Sequence, residues 1–343
     1  FILNLWKLFE AMGGIQQSTD LCSWVFPRST GEVAYLIHIV DDISILSRSL
    51  QLREDLLECI EAEYTITRNA GPAADGHTRL RFNGYDVDIG YDYVKLHMGT
   101  QVMALLATTG YMDATPLAVP GIKGYRLVQG DATEKKDKSH IARAAQSVCG
   151  QLNYLATGPR YDIKGSLHPV QQKAMEGFSP DDTAQASSVL RYLRGSPNKG
   201  IRYNKTSPSN MTNKLVAFAD ASYVPPPGRS PTCSMQFLNG GLVAMHVSRA
   251  PKACDSAPNA ELCAAYDTVL AVKPVRDQLD EMGLRQPGGT PIFGDNQAVL
   301  TQIDTIKSLK KAQVNHAKVG VCRVAKSAGD VVWKEVASED NRA

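Results

Sequence analysis

The sequence predicts a mixed α/β fold in two parts. Three observations predict it. The second half alternates apolar, β-rich runs with amphipathic stretches, in the order strand, strand, strand, helix, strand, helix, helix, strand. The first half holds a hairpin pattern between helical stretches. A polar, turn-rich stretch without periodicity, Asn204 to Asn213, separates the two halves. A chain of 343 residues is long enough for two domains, assigned here to 1–205 and 214–343.

Bulk properties exclude some classes. No apolar run reaches the ~18 residues of a membrane span, and no basic, apolar, small-residue order marks a secretory signal. A net charge of +2 names no partner by itself. The seven cysteines show no paired CxxC spacing, which fits a reduced intracellular protein with scattered thiols and no zinc site. The chain opens on Phe1 rather than Met, as expected of a fragment or a processed product.

The first region begins with a helical pattern through Trp6 and Phe9. In "EVAYLIHIVDDISILS", Glu32 to Ser47, two apolar runs flank Asp41 and Asp42, so a hairpin with two carboxylates at its tip is expected. An amphipathic helix follows, with Leu52, Leu56, Leu57, Ile60 and Tyr64 on one stripe. Gly71 to Asp75 reads as a loop, and "RLRFNGYDVDIGYDYVKLH" alternates as strands do. Two further helices are expected at "QSVCGQLNYLA" and "AQASSVLRYLRGS", with a Pro-led break at "PRYDI" between them.

The second region starts with "KLVAFADASY", whose apolar strand Leu215–Ala219 runs into Asp220. "CSMQFLNGGLVAMHV" is two strands around Asn239-Gly240-Gly241. "APNAELCAAYDTVLAV" is a helix with Pro258 in its first turn and a stripe of Leu262, Ala265, Tyr266, Val269 and Leu270; Pro274 is expected to stop it. "PIFGD" is a fourth strand, a helix follows from about Asn296, and "DVVWKEV" is a fifth strand. Between them lies an acid-free basic segment, Lys307 to Gly329, read as another helix. The first three strands suit an antiparallel meander, and the long helix suits a crossover to a parallel fourth strand.

That order places three acids at element ends: Asp220 on the first strand, Glu261 in the first turn of the helix, Asp295 after the fourth strand. If the first and fourth strands are neighbours and the helix packs across them, the carboxylates converge. Such like charges repel, and bound cations relieve the repulsion; hard oxygen donors suit magnesium or manganese. Each acid also has a local explanation. Asp220 suits a strand-terminal turn, Glu261 suits the positive end of a helix, and Asp295 suits a helix cap.

The second region resembles the RNase H domain of copia-type retrotransposon polyproteins. The matching segments are "AFADASY", "GRSPTCSMQFLNGG", "SAPNAELCAAY", "FGDNQAV" and "VASEDNRA". The first region resembles the reverse transcriptase upstream of that domain. "HIVDDI" is similar to its YVDD hairpin, with Ile39 where the family usually has Tyr. "FNGYDV", "DATPLAVP", "QLNYLATGPRYDI" and "VLRYLRGSPNKGIRY" resemble later segments, with Tyr161 where the family usually has Pro. A transposase or integrase core would also place acids on a first and fourth strand. The helix acid between them and the upstream hairpin favour RNase H.

The resemblance implies a palm and thumb remnant of reverse transcriptase, followed by an RNase H-like fold with a mixed five-stranded sheet flanked by helices. It implies that Asp220, Glu261 and Asp295 are catalytic metal ligands for Mg2+ or Mn2+, two ions per active site. It implies that Asp41 and Asp42 are the hairpin aspartates of the polymerase. The family's fourth RNase H acid would directly follow Ala343, and the third polymerase aspartate would precede Phe1. The chain is therefore expected not to polymerise DNA, and to retain weak hydrolysis or none. The expected activity of the parent is reverse transcription and cleavage of RNA in RNA–DNA hybrids; a catalytically inactive nucleic-acid-binding remnant is the alternative. Expected partners are hybrid, RNA template, DNA and the rest of the Pol polyprotein, with no membrane. The expected location is the cytoplasm, in the element's virus-like particle, or the nucleus. Lys310, Lys311 and Lys318 are expected on phosphates, read through backbone shape rather than bases. His316 is assigned to phosphate contact or product release, with a surface histidine of no role as the competing reading.

Overall fold

The computed structural model describes residues 2–68, 76–123, 125, 140–173, 178–204, 213–304 and 313–343. The expected loop at 71–75 and most of the expected linker lie outside these residues. The chain forms two compact units: residues 1–68 with 206–343, and residues 69–205. One seam falls at the expected linker; the other, at 68/69, lies inside the region assigned to 1–205. No helix among the described residues is long and apolar enough to cross a membrane.

The N-terminal part of the first unit is α1 (Ile2–Ala11), β1 (Ile15–Gln16), β2 (Ser23–Pro27), β3 (Val33–Ile39), β4 (Asp42–Ser47) and α2 (Leu50–Glu63). The strands form an antiparallel sheet in chain order. Alternation along β3 turns Ala34, Leu36 and His38 to the core. The helices cover that face with Leu5 and Phe9 from α1 and with Leu52, Leu56 and Ile60 from α2, each spaced by four. Ser49 caps α2, its hydroxyl accepting from the Leu52 amide. The buried His38 accepts at Nε2 from Trp6 Nε1 at 2.9 Å, and burial holds its pKa below the usual value.

The second unit contains β5 (Thr78–Phe82), β6 (Tyr85–Ile89), β7 (Tyr93–His97), α3 (Gly99–Thr109), α4 (His140–Thr157), α5 (Lys164–Lys173), α6 (Pro180–Gly195) and β8 (Gly200–Asn204). Its strands make a second antiparallel sheet in the order β5-β6-β7-β8. Its core joins Val102 and Leu106 of α3, Leu152 and Leu155 of α4, Leu167 of α5 and Val189 and Leu193 of α6. The expected break after Pro159 is a 3-10 turn at Tyr161–Ile163. Arg160 is fully buried there, paired with Asp162 and donating to Ser196 O. A buried cation persists only with such partners.

The rest of the first unit is β9 (Leu215–Ala221), β10 (Pro231–Leu238), β11 (Gly241–Arg249), α7 (Ala257–Glu281), β12 (Thr290–Gly294), α8 (Gln297–Asp304), α9 (Gln313–Ser327) and β13 (Val331–Glu335). These strands form a five-stranded mixed sheet in the order β11-β10-β9-β12-β13. β9, β10 and β11 are antiparallel; β9, β12 and β13 are parallel. This is the mixed sheet expected of an RNase H-like fold. The β10–β11 turn has Asn239 and Gly240 at φ of 52° and 84°, the left-handed pair that a tight hairpin requires. Leu215, Ala217 and Ala219 alternate onto the face covered by α7, where Leu262, Ala264, Ala265 and Val269 meet them.

One element boundary is corrected. Pro274 does not stop α7, which continues to Glu281. The hydrogen bond that Pro274 cannot donate would go to Leu270, which is half exposed, so water can serve that carbonyl. Beyond the proline, Val275 and Leu279 still pack into the core, and that burial holds the last turns. Helix α7 ends instead at Glu281, closed by Gly283 at φ 73°, where the Leu284 amide reaches Leu279 O at 2.7 Å and the Gly283 amide reaches Asp280 O at 2.9 Å. Leu270, expected on the buried stripe, is half exposed, one position past the buried Val269, where the helix turns its side chains away from the sheet.

Candidate metal centre

Asp220, Glu261 and Asp295 converge. One carboxylate oxygen from each lies within 4.8 Å of the others, and all three side chains are half-buried. Register explains two of them. β12 pairs in parallel with β9 so that Phe293 faces Phe218. Two residues further, period-two alternation puts Asp295 beside Asp220 on the same face. Phe293 and Phe218 stack beneath them, ring centroids 5.0 Å apart. Glu261 is the fifth residue of α7, whose packing on β9 and β10 brings its first turns to the ends of these strands.

Electrostatics follow from this crowding. Burial, then repulsion from Asp295, pushes the Asp220 pKa up to about 6. Burial, then repulsion from Asp220 and Asp295, pushes Glu261 up to about 8. The Ala221 backbone N–H opposes both shifts. Cys233 faces Asp220 across the β9–β10 ladder; burial, reinforced by that carboxylate, lifts its thiol to about 11. Among the described residues, no Lys, Arg or His forms an ion pair with any of the three acids. Three half-buried carboxylates without a protein cation are a hard-oxygen donor set that fits Mg2+ or Mn2+.

The tail after β13 adds residues that sequence reasoning quoted without assigning. Ser338 Oγ donates to Asp295 Oδ2 at 2.7 Å, which orients that carboxylate. Asn341 Nδ2 donates to Ala219 O at 3.0 Å, one residue before Asp220. The Arg342 guanidinium lies over the rings of Phe218 and Phe237, at 5.7 and 5.3 Å. The only signal available beforehand was polarity immediately after a strand.

Among the described residues, the other candidates do not join this cluster. Asp41 and Asp42 sit at the exposed β3–β4 turn, where Ile39 pairs with Asp42 and Val40 takes a positive φ of 57°. Among the described residues, they join no third metal-ligating group. Lys310 and Lys311 lie outside the described residues. His316 is exposed on α9. Lys318 turns toward α7, its Nζ 2.6 Å from Cys263 Sγ and 6.0 Å from the Tyr266 ring centroid. Two further cations of the basic segment are engaged with the end of α8: Arg323 Nη2 donates to Gln302 O, and Lys326 pairs with Asp304 at 2.6 Å.

No family model matches the chain. Among curated proteins, it is 24% identical over 243 residues to the transposon Ty1-DR1 Gag-Pol polyprotein of Saccharomyces cerevisiae, covering 67% of this chain and 13% of that one. It is also 24% identical over 284 residues to the transposon TyH3 Gag-Pol polyprotein of the same organism, covering 79% of this chain and 16% of that one. The chain thus spans only 13% to 16% of the length of these relatives. Similar solved structures include RNase H1 from Halobacterium salinarum NRC-1, at 18% identity and TM-score 0.29, covering 37% of this chain and 89% of that one. Another is LC11-RNase H1 in complex with an RNA/DNA hybrid, at 13% identity and TM-score 0.30, covering 38% of this chain and 89% of that one. Over most of its length the chain is therefore similar to the Ty1, copia-type, Gag-Pol polyproteins, which bears out the resemblance to a copia-type Pol segment read from its motifs.

Proposed function

We propose that the Asp220–Glu261–Asp295 centre hydrolyses phosphodiester bonds in the RNA strand of RNA–DNA hybrids, as part of a retrotransposon reverse transcriptase and RNase H segment. The observation that carries this reading is the meeting of three carboxylates from a first strand, a helix and a fourth strand within 4.8 Å. These three residues would hold the two divalent ions. Bound there, the ions supply activation of water and neutralisation of charge at the phosphodiester. The chain's own residues prepare the site. Ser338 fixes Asp295, and the Ala221 N–H faces Asp220 and Glu261. With Glu261 raised to about 8, its carboxyl holds a proton near neutral pH, so occupancy by a cation displaces that proton and strengthens as pH rises.

Substrate recognition belongs to the same proposal. Lys310, Lys311 and His316 contact backbone phosphates, and Lys318 joins them by turning outward from Cys263, which makes binding salt-dependent and insensitive to base sequence. Asp41 and Asp42 correspond to the polymerase hairpin of the parent polyprotein, whose template RNA and DNA are its other partners. The segments 1–205 and 214–343 are proposed as the reverse-transcriptase and RNase H parts.

The test is cleavage of a labelled RNA–DNA hybrid by the chain carried on through its natural continuation, with magnesium. Metal-dependent cleavage that Asp220→Asn reduces at least a hundredfold is the expected result. Cleavage unchanged by Asp220→Asn would overturn the site. Salt-dependent hybrid binding without metal-dependent turnover would favour the alternative of an inactive nucleic-acid-binding remnant.

A further inference from the structure

Two thiols outside the metal centre meet under the start of α7. Cys254 belongs to the irregular segment 250–256 that joins β11 to α7, and Cys263 belongs to the second turn of α7. Both are buried, at 1% and 3% exposure, in one small cluster with Ala250 and Ala260. Burial, then the neighbouring Cys263 thiol, raises the Cys254 thiol above its usual pKa. Lys318 closes the cluster from α9, its Nζ 2.6 Å from Cys263 Sγ. All seven cysteines are free thiols.

We propose that Cys254 and Cys263 are an oxidisable pair that closes to a disulfide under a peroxide-class oxidant. One thiol attacks peroxide, giving a sulfenic acid and one water. The second thiol then displaces the hydroxyl as a second water and forms the S–S bond. The thiols lose two electrons and two protons in total, and peroxide is reduced. A disulfide needs the sulfurs at about 2.05 Å, so one side must move. The cluster tells which side yields. Cys263 is held on a helix whose neighbours Leu262, Ala264 and Ala265 are core residues. Cys254 is held on a segment whose neighbours Pro251, Lys252, Ala253 and Asp255 are exposed. The segment gives way and its opening admits the oxidant. The bond staples the segment to the helix that carries Glu261, and rests on no assumption about what the metal centre does.

Mass spectrometry tests the pairing on the full chain. The reduced protein is treated with hydrogen peroxide, alkylated with iodoacetamide and digested with trypsin without reductant. Lys273–Pro274 resists trypsin, so Cys254 and Cys263 fall in one peptide, residues 253–276. The expected peptide is two hydrogens lighter than the free dithiol, unalkylated, and restored by dithiothreitol. The oxidised protein should also melt a few degrees higher than the same sample after reduction. The proposal is overturned if both cysteines remain alkylated, if either is oxidised singly or pairs elsewhere, for example with exposed Cys59, or if the linked form melts no higher.

Discussion

pH acts strongly on Glu261. Its pKa of about 8 lies above that of a free carboxyl because it is buried beside Asp220 and Asp295. A raised acid stabilises the folded chain below its unfolded pKa, and that contribution is lost as pH rises through the folded value. Asp220, at about 6, acts with the same sign over a lower window. The metal-free protein should therefore lose thermal stability relative to Glu261→Gln as pH goes from about 5 to about 8.5. Melting curves of both proteins without divalent ions check this; a constant difference across that range would contradict it. The three acids were legible in the sequence because each ends a recognisable element. Ser338, Asn341 and Arg342 were not, because their partners Asp295, Ala219 and Phe218 lie far away along the chain. The inward turn of Lys318 was likewise hidden, since charge on a helix does not reveal which neighbour the side chain folds against.

Elements with strong periodicity or turn chemistry were readable: the β3–β4 hairpin, α2 with its stripe, the Asn239–Gly240 hairpin and the strand order that brings β12 beside β9. The unread ones lacked those signals. β1 has two residues, too short for a period. β2 ends in Pro27, and α3 starts on Gly99 without a side-chain cap. Pro274 misled because local propensity lost to burial on the same helix. Two substitutions separate these forces. Pro274→Ala restores a donor inside a continuous helix and should raise stability by about 1–3 kcal/mol, since Pro costs about 3 kcal/mol in a helix interior. No gain, seen by denaturant melting, would mean that the helix is broken there. Leu262→Ala removes a core side chain between α7 and the sheet and should cost about 2–5 kcal/mol. A cost below about 1 kcal/mol would show that α7 is not anchored as described.

At the scale of the whole molecule, three of the described acids gather in one place. The first unit carries both acid groups, yet only Asp220, Glu261 and Asp295 meet as a cluster among the described residues. Asp41 and Asp42 stand as an exposed pair at a hairpin tip. The chain as it stands should accordingly give no primer extension on an RNA template with deoxynucleotides and magnesium; extension abolished by Asp42→Asn would contradict this. The polar stretch near 204–213 coincides with one of the two seams between the units. The seam at 68/69 was not legible in the sequence, because residues 1–68 join 206–343 through contacts such as Tyr35 Oη to Met282 O at 2.8 Å, which no local pattern announces. Three acids distant in the chain are proposed to form one divalent-cation centre. Calorimetric titration with Mn2+ at about pH 7.5 tests it most directly, near the pH where Glu261 gives up its proton. The expected result is binding by the wild-type chain, weakened at least tenfold in each of Asp220→Asn, Glu261→Gln and Asp295→Asn. Equal affinity in the wild type and all three variants would contradict it.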